Sequence, residues 1–134
     1  MRCINVMSRP RLLLAEDHLE TAILLRELLQ ADFDVIAHVQ DGAALVAAVA
    51  RLVPDVIVSD VSMPVLDGIA AAEAVTRANP AARIVFVSVH GDLSTVARGL
   101  AAGALGYVLK VTAGENLVPA VRAALRGERY VRSS

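Results

Sequence analysis

Glu16 and Asp17 end one short apolar run, Leu12-Leu13-Leu14-Ala15, and Asp60 ends another, Val56-Ile57-Val58-Ser59. If those runs are buried strands lying side by side, three carboxylates meet in one pocket. Two like charges roughly 4 Å apart at an intermediate effective dielectric repel by up to about 4 kcal/mol. Such a pocket calls for a cation, and carboxylate oxygens suit a hard divalent ion. Ser88 falls at the end of a further apolar run and Lys110 follows another, so a hydroxyl and an ammonium belong to the same set of strand ends.

The elements that must place these ends are readable from period. Apolar runs of four to six residues alternate with longer amphipathic segments. Arg11 to Ala15 precedes a helical segment from His18 to Ala31, Val35 to Val39 precedes Gly42 to Leu52, and Val56 to Ser59 precedes, after a loop, Ile69 to Ala78. Ile84 to Val89 is followed by Asp92 to Ala102, and the short run Tyr107 to Leu109 by a last helix from about Gly114 to Arg126. Pro54 and Pro80 stop the second and third helices, Asp41-Gly42 turns the chain into the second, and Gly103 with Gly106 brackets the entry to the fifth strand. Five strand and helix units in alternation predict an α/β fold with a doubly wound parallel sheet, because parallel neighbours need right-handed crossover connections. The functional crevice of such a sheet lies outside the carboxyl ends of its strands, where Asp17, Asp60, Ser88 and Lys110 fall.

A chain of 134 residues suits one compact domain. Its 56% apolar content rests on Ala, Val, Leu and Ile, with only 3% aromatic residues, as expected for short buried strands covered by Ala-rich helices. The single cysteine, Cys3, excludes an internal disulfide and a thiolate metal site. Residues 1–10 lack the apolar core of about 7 to 15 residues that a secretory signal needs, so a cytoplasmic location is expected. The apolar stretch Ala43 to Ala50 is far short of the roughly 20 residues that cross a bilayer, and no membrane partner is expected. A net charge of −1 gives no overall attraction to nucleic acid; Arg122, Arg126, Arg129 and Arg132 read as a solvated helix face and tail.

Taken together, Glu16-Asp17-His18, the spacing Asp60, Met63-Pro64, Asp67-Gly68, then Ser88, then Tyr107 with Lys110, resemble the receiver domains of two-component response regulators over nearly the whole chain. The resemblance implies a flavodoxin-like sheet of five strands in the order 2-1-3-4-5 with five helices. It implies that Asp60 accepts a phosphoryl group from a histidine kinase, with Mg2+ held by Glu16, Asp17, Asp60 and the backbone carbonyl of Ser62. Transfer to a carboxylate needs a nucleophilic oxygen, a cation to neutralise charge, and donors placed for the transition state. Ser88 and Lys110 are the expected phosphoryl-binding donors, and Ser88 with Tyr107 the switch pair. Ser62 and His90, two residues beyond Asp60 and Ser88, are expected to tune how water reaches the phosphoryl group. Pro64 and Gly68 are expected to shape the loop after Asp60, Gly68 through backbone conformations closed to other residues. Glu16 stands where the family often has aspartate, and Val111 where many members have proline, which makes a cis bond there unexpected.

Each residue also has a plainer reading. A lone Asp17 would serve as a helix cap, Ser88 as a small strand end, Lys110 as a solvated charge and Tyr107 as static packing; it is the constellation that favours chemistry. Gly106 to Lys110, His18 and the ending Gly127-Glu128-Arg129-Tyr130-Val131 look like the subgroup that precedes a LuxR-type helix-turn-helix output domain, the LuxR/NarL type. On that reading residues 1–10 are an extension, 11–126 the receiver domain, and 127–134 a tail or the start of an interdomain linker in a truncated chain. DNA would be reached only through an output domain missing from this chain, with a homodimer on phosphorylation as a further implied partner. The expected role is a substrate and switch rather than an enzyme. The alternatives are a Mg2+-dependent phosphohydrolase, which would need a general acid where Ser62 stands, and an interaction module independent of phosphorylation. A flavodoxin-like cofactor binder is disfavoured because Ala15-Glu16-Asp17-His18 has no glycine-rich phosphate cradle.

Overall fold

The computed structural model describes residues 9–132. Cys3, most of the expected N-terminal extension and the last two residues of the expected tail lie outside the described residues. Between them run β1 (Arg11–Ala15), α1 (Leu19–Gln30), β2 (Asp34–Val39), α2 (Gly42–Leu52), β3 (Val56–Ser59), α3 (Gly68–Ala78), β4 (Ile84–Ser88), α4 (Leu93–Ala101), β5 (Gly106–Leu109), a 3-10 turn (Lys110–Thr112), α5 (Ala113–Leu125) and β6 (Tyr130–Arg132). All strand pairs are parallel, in the order β2-β1-β3-β4-β5-β6. No helix is long and apolar enough to cross a membrane among the described residues.

Alternation along the strands builds two cores, because successive side chains face opposite sides of the sheet. Leu13, Ala15, Ile57 and Phe86 point to a cluster shared with Leu45 of α2, Val75 of α3 and Val96 of α4. Leu12, Leu14, Val58 and Val87 point the other way, onto Leu25 and Leu29 of α1 and Leu117 and Val121 of α5. Both faces of the central strands are therefore dry, as a parallel sheet requires. Three helices open on aspartate caps: Asp41, Asp67 and Asp92 accept from the backbone N–H of Ala44, Ala70 and Thr95. The capping role open to Asp17 is not used, since the N-cap of α1 is His18.

The sheet has six strands rather than the five expected. After α5 the chain reverses at Gly127, whose φ of +76° suits glycine, and Tyr130 to Arg132 pair with Gly106 to Val108 of β5. The Tyr130 N–H donates to the Leu105 carbonyl at 3.0 Å and its hydroxyl to Asn116 Oδ1 at 3.0 Å. Val131 packs on the first core. Tyr130 to Arg132 cover an otherwise open sheet edge, while Arg122, Arg126 and Arg132 are exposed, the first two pairing with Asp32 and Glu128.

Gly68 has a different reason for being glycine than the one expected. Its φ is not positive; instead α3 starts directly against the end of β3, where a Cβ would lie 1.9 Å from the Asp60 carbonyl oxygen. The Gly68 N–H donates to the Val61 carbonyl at 2.7 Å and fixes that approach. A clash with backbone cannot be relieved by a rotamer change. Gly68→Ala is therefore expected to lower stability by at least about 1 kcal/mol, the lower end of overpacking effects, read as a lower urea midpoint; an unchanged midpoint would contradict the close approach.

Candidate functional site

Chain reversal between β1 and β3 opens a crevice at the carboxyl ends of the two central strands. Glu16 and Asp17 follow β1, Asp60 follows β3, and Lys110 follows β5. The Asp60 N–H donates to the Ala15 carbonyl at 3.0 Å, which ties the ends of β1 and β3 together immediately below the carboxylates. Lys110 Nζ stands 2.9 Å from Asp60 Oδ2 and 2.9 Å from Glu16 Oε1. Asp60 Oδ1 accepts from the Ser62 N–H at 3.3 Å, and Glu16 Oε2 from the His18 N–H at 3.1 Å.

Glu16, Asp17 and Asp60 each bring one carboxylate oxygen to a common point, all within 4.8 Å of one another. Glu16 is fully buried, and its Oε1 touches the ammonium without an aligned hydrogen bond. A buried carboxylate oxygen with a lone pair to spare, beside two more carboxylates, fits a hard divalent cation. His18 is exposed and supplies only its backbone N–H.

A second set of contacts surrounds the end of β4. Ser88 is fully buried and its Oγ accepts from the His90 N–H at 3.0 Å. The Tyr107 hydroxyl donates to the His90 carbonyl. The backbone of one residue, His90, is thus held at both its N–H and its carbonyl by the two residues expected to form the switch pair. Tyr107 lies inside the protein, its ring tilted against Phe86 at a centroid distance of 6.2 Å. The His90 side chain is exposed, as is Ser62. Among the described residues the Ser88 hydroxyl makes no hydrogen bond to Asp60 or Lys110. No peptide bond among them is cis, Lys110–Val111 included.

Burial pushes the Glu16 carboxyl above its ordinary value; the Lys110 contact and the His18 N–H oppose this, and nearby Asp60 reinforces it. At Lys110 burial works against the ammonium, but pairing with Glu16 and Asp60 outweighs it and the net shift is upward. The same contact therefore favours both charges, losing to desolvation at one end and winning at the other. Burial also raises the Tyr107 phenol, against the Ser88 hydroxyl beside it.

Sequence reasoning passed over His38, whose Nε2 lies 2.7 Å from the Glu16 carbonyl oxygen. Nothing in its spacing from the acidic pair announces the contact, which depends on how β2 pairs with β1.

The fold and crevice define a class: a doubly wound α/β module with an acidic pocket closed by a lysine at its switch point. A family model described as response regulator receiver domain matches residues 12–122. The chain belongs to that family, the receiver domains of two-component response regulators. It is 40% identical over 104 residues to the transcriptional regulatory protein YxjL of Bacillus subtilis, covering 78% of this chain and 48% of that protein. It is 34% identical over 125 residues to the transcriptional regulatory protein LiaR of the same organism, covering 92% of this chain and 59% of that protein. The chain thus spans about half the length of the curated relatives it matches. Among solved structures, a LuxR-family response regulator from Aurantimonas sp. SI85-9A1 superposes with a TM-score of 0.88 at 30% identity, covering 92% of this chain and 89% of that one. The receiver domain of NarL from Mycobacterium tuberculosis superposes at 0.84 and 27% identity, covering 90% and 99%. These neighbours place the chain with the LuxR/NarL type.

Because Glu16 holds its proton more tightly folded than unfolded, its contribution to stability falls as pH rises from its ordinary value of 4.5. In metal-free protein at neutral pH, Glu16→Gln is expected to raise the urea midpoint, with the gain shrinking as pH approaches 4.5. A variant less stable than the parent at pH 7 would contradict this.

Proposed function

We propose that this chain is the phosphoacceptor module of a two-component system, taking a phosphoryl group on Asp60 from a histidine kinase. The observation that supports this most is the ammonium of Lys110 placed 2.9 Å from Asp60, inside a cluster of three carboxylates. Asp60 is the nucleophile: a carboxylate oxygen bonds to phosphorus as the bond from phosphorus to the kinase imidazole nitrogen breaks, and the imidazole leaves with the electron pair. Glu16, Asp17, Asp60 and the Ser62 carbonyl would hold Mg2+. When bound, the cation neutralises charge on the phosphoryl oxygens. Lys110 pairs with Asp60 before transfer and with a phosphoryl oxygen afterwards, and the Ser88 hydroxyl donates to the same group.

Ser88 and Tyr107 then transmit the change through the backbone of His90 to the surface formed by α4, β5 and α5. The chain acts as a substrate and switch rather than a turnover enzyme. We place the receiver body at 11–126, with 1–10 an extension and 127–134 a linker whose strand β6 docks back on the sheet. In the cytoplasm, the phosphorylated form would pair as a homodimer and act on transcription through an output domain beyond these residues, as the names of its transcriptional relatives suggest.

Incubation with acetyl phosphate and Mg2+, followed by intact mass, tests the acceptor role. The expected result is one added phosphoryl group, lost in Asp60→Asn and in EDTA. No adduct on correctly folded protein would favour a phosphate-independent module, and rapid multiple turnover a phosphohydrolase; either outcome rejects the proposal.

Ser62 and His90, two residues beyond Asp60 and Ser88, have exposed side chains, and on this reading they order or exclude the water that attacks the acyl phosphate. Substituting either is expected to change the lifetime of the phosphorylated form several-fold, followed by loss of the mass adduct after donor removal. Unchanged rates in both variants would remove the tuning role.

A further inference from the structure

The parallel pairing of β1 and β2 is irregular. Leu12 pairs with Val35 but Leu13 with Ala37, so Ile36 is an extra residue on β2, and from there Leu14 pairs with His38 and Ala15 with Val39. In a regular ladder Ala15 would have faced His38, putting the imidazole on the side of α2. The bulge turns it to the side of Leu14 and α1 instead. A one-residue shift reverses the face of every following side chain.

On that side His38 meets the turn that carries the acidic pair. Its Nε2 lies 2.7 Å from the Glu16 carbonyl oxygen. A carbonyl can only accept, so the ring holds its proton on Nε2 and donates it. The residue after His38 grips the other side of Glu16, since the Glu16 N–H donates to the Val39 carbonyl at 3.0 Å. The end of β2 thus clamps Glu16 by both backbone polar groups, while its carboxylate is held by Lys110 and the His18 N–H. The imidazole is half-buried and borders a cavity of about 70 Å³ that Leu14, Leu19, Ala22, Ile23 and Arg26 also line. Largely apolar walls leave the carbonyl as its one hydrogen-bond partner among the described residues.

The clamped carbonyl belongs to the peptide that joins Glu16 to Asp17. Its plane sets the direction in which both side chains leave the backbone, and so where two of the three carboxylates of the cluster point. We propose that His38 is a positioning residue of the cation site: it touches neither cation nor phosphoryl group, and acts by fixing the Glu16–Asp17 peptide. This rests on the reading of Glu16, Asp17 and Asp60 as a Mg2+ site. Groups one step removed from metal ligands commonly change affinity by about 10- to 100-fold when lost.

His38→Leu keeps apolar bulk and removes the donor; His38→Gln keeps an N–H at comparable reach. Titration calorimetry with Mg2+ on the full chain is expected to show affinity about tenfold weaker for the leucine variant and within about threefold of the parent for the glutamine variant. Amide NMR of the metal-free proteins is expected to show the Asp17 N–H resonance displaced in His38→Leu and restored in His38→Gln. A merely structural histidine would lower thermal stability in the leucine variant while leaving both readouts alone. Parent-like affinity in His38→Leu, or His38→Gln as weak as His38→Leu, overturns the proposal. If His38→Leu does not fold, the glutamine variant decides alone, and tenfold weakening there overturns it. A parent protein that binds no Mg2+ sinks the cation-site reading itself, an outcome distinct from a parent that binds it indifferently to residue 38.

Discussion

Lys110 stands 2.9 Å from both Glu16 and Asp60, and that shared ammonium lets two buried carboxylates remain neighbours. Glu16 is fully out of water and Asp60 nearly so. An ionised carboxylate in such a place is stable only if paired and hydrogen-bonded. One lysine against the three carboxylates of the cluster leaves two negative charges unmatched when all are ionised. A pocket in that state is held short of neutrality by the fold around it, and a divalent cation is the simplest charge that completes it. Breaking the lysine contact would therefore affect more than one pair, since the same ammonium opposes desolvation at Glu16 and lies on the proposed acceptor oxygen.

Nothing in the crevice is local in sequence, and its geometry is a consequence of strand order. The reversal between β1 and β3 puts Glu16, Asp17 and Asp60 at adjacent strand ends, and β4 and β5 follow on the same side with Ser88 and Lys110. The aspartates that begin α2, α3 and α4 are engaged with helix N–H groups. Asp17 and Asp60 cap no helix, so their charges remain available to the pocket. Close contact between α3 and the Asp60 backbone, possible because residue 68 is glycine, packs the start of α3 against the end of β3.

Much of this was legible in residue types alone. Each of the first five strands and each helix lies within a residue or so of where period and punctuation put it, because buried parallel strands are dense apolar runs and the connecting helices carry their own stops. The coincidence of Glu16, Asp17, Asp60 and Lys110 was legible too, since strand ends in this topology converge. What escaped were features decided by pairing rather than composition. Tyr130-Val131-Arg132 is too short to show a period, and its strand character comes from an open β5 edge. The face chosen by His38 depends on a bulge between β1 and β2. Gly68 announced itself as glycine but not why, because a backbone contact between residues eight positions apart leaves no mark on sequence pattern.

The backbone of His90 gives the proposed switch its mechanical logic. Ser88 Oγ accepts from its N–H while Tyr107 donates to its carbonyl. A hydroxyl that accepts one hydrogen bond still has a proton to give, so Ser88 could donate to the proposed phosphoryl group without releasing His90. If Ser88 moved toward that group, the His90 backbone would be drawn with it, and its carbonyl would hold the Tyr107 hydroxyl inward. Outward rotation of Tyr107 would break that bond and expose a ring packed beside Phe86. Gly99 of α4 lies against both rings, where a Cβ would come within 3.1 Å of Phe86 and 3.3 Å of Tyr107, so the absence of a side chain lets α4 sit close with the tyrosine inside. Loop and aromatic are therefore linked through two hydrogen bonds to the backbone of His90, and on the proposed reading a phosphoryl group at Asp60 would join that linkage through Ser88.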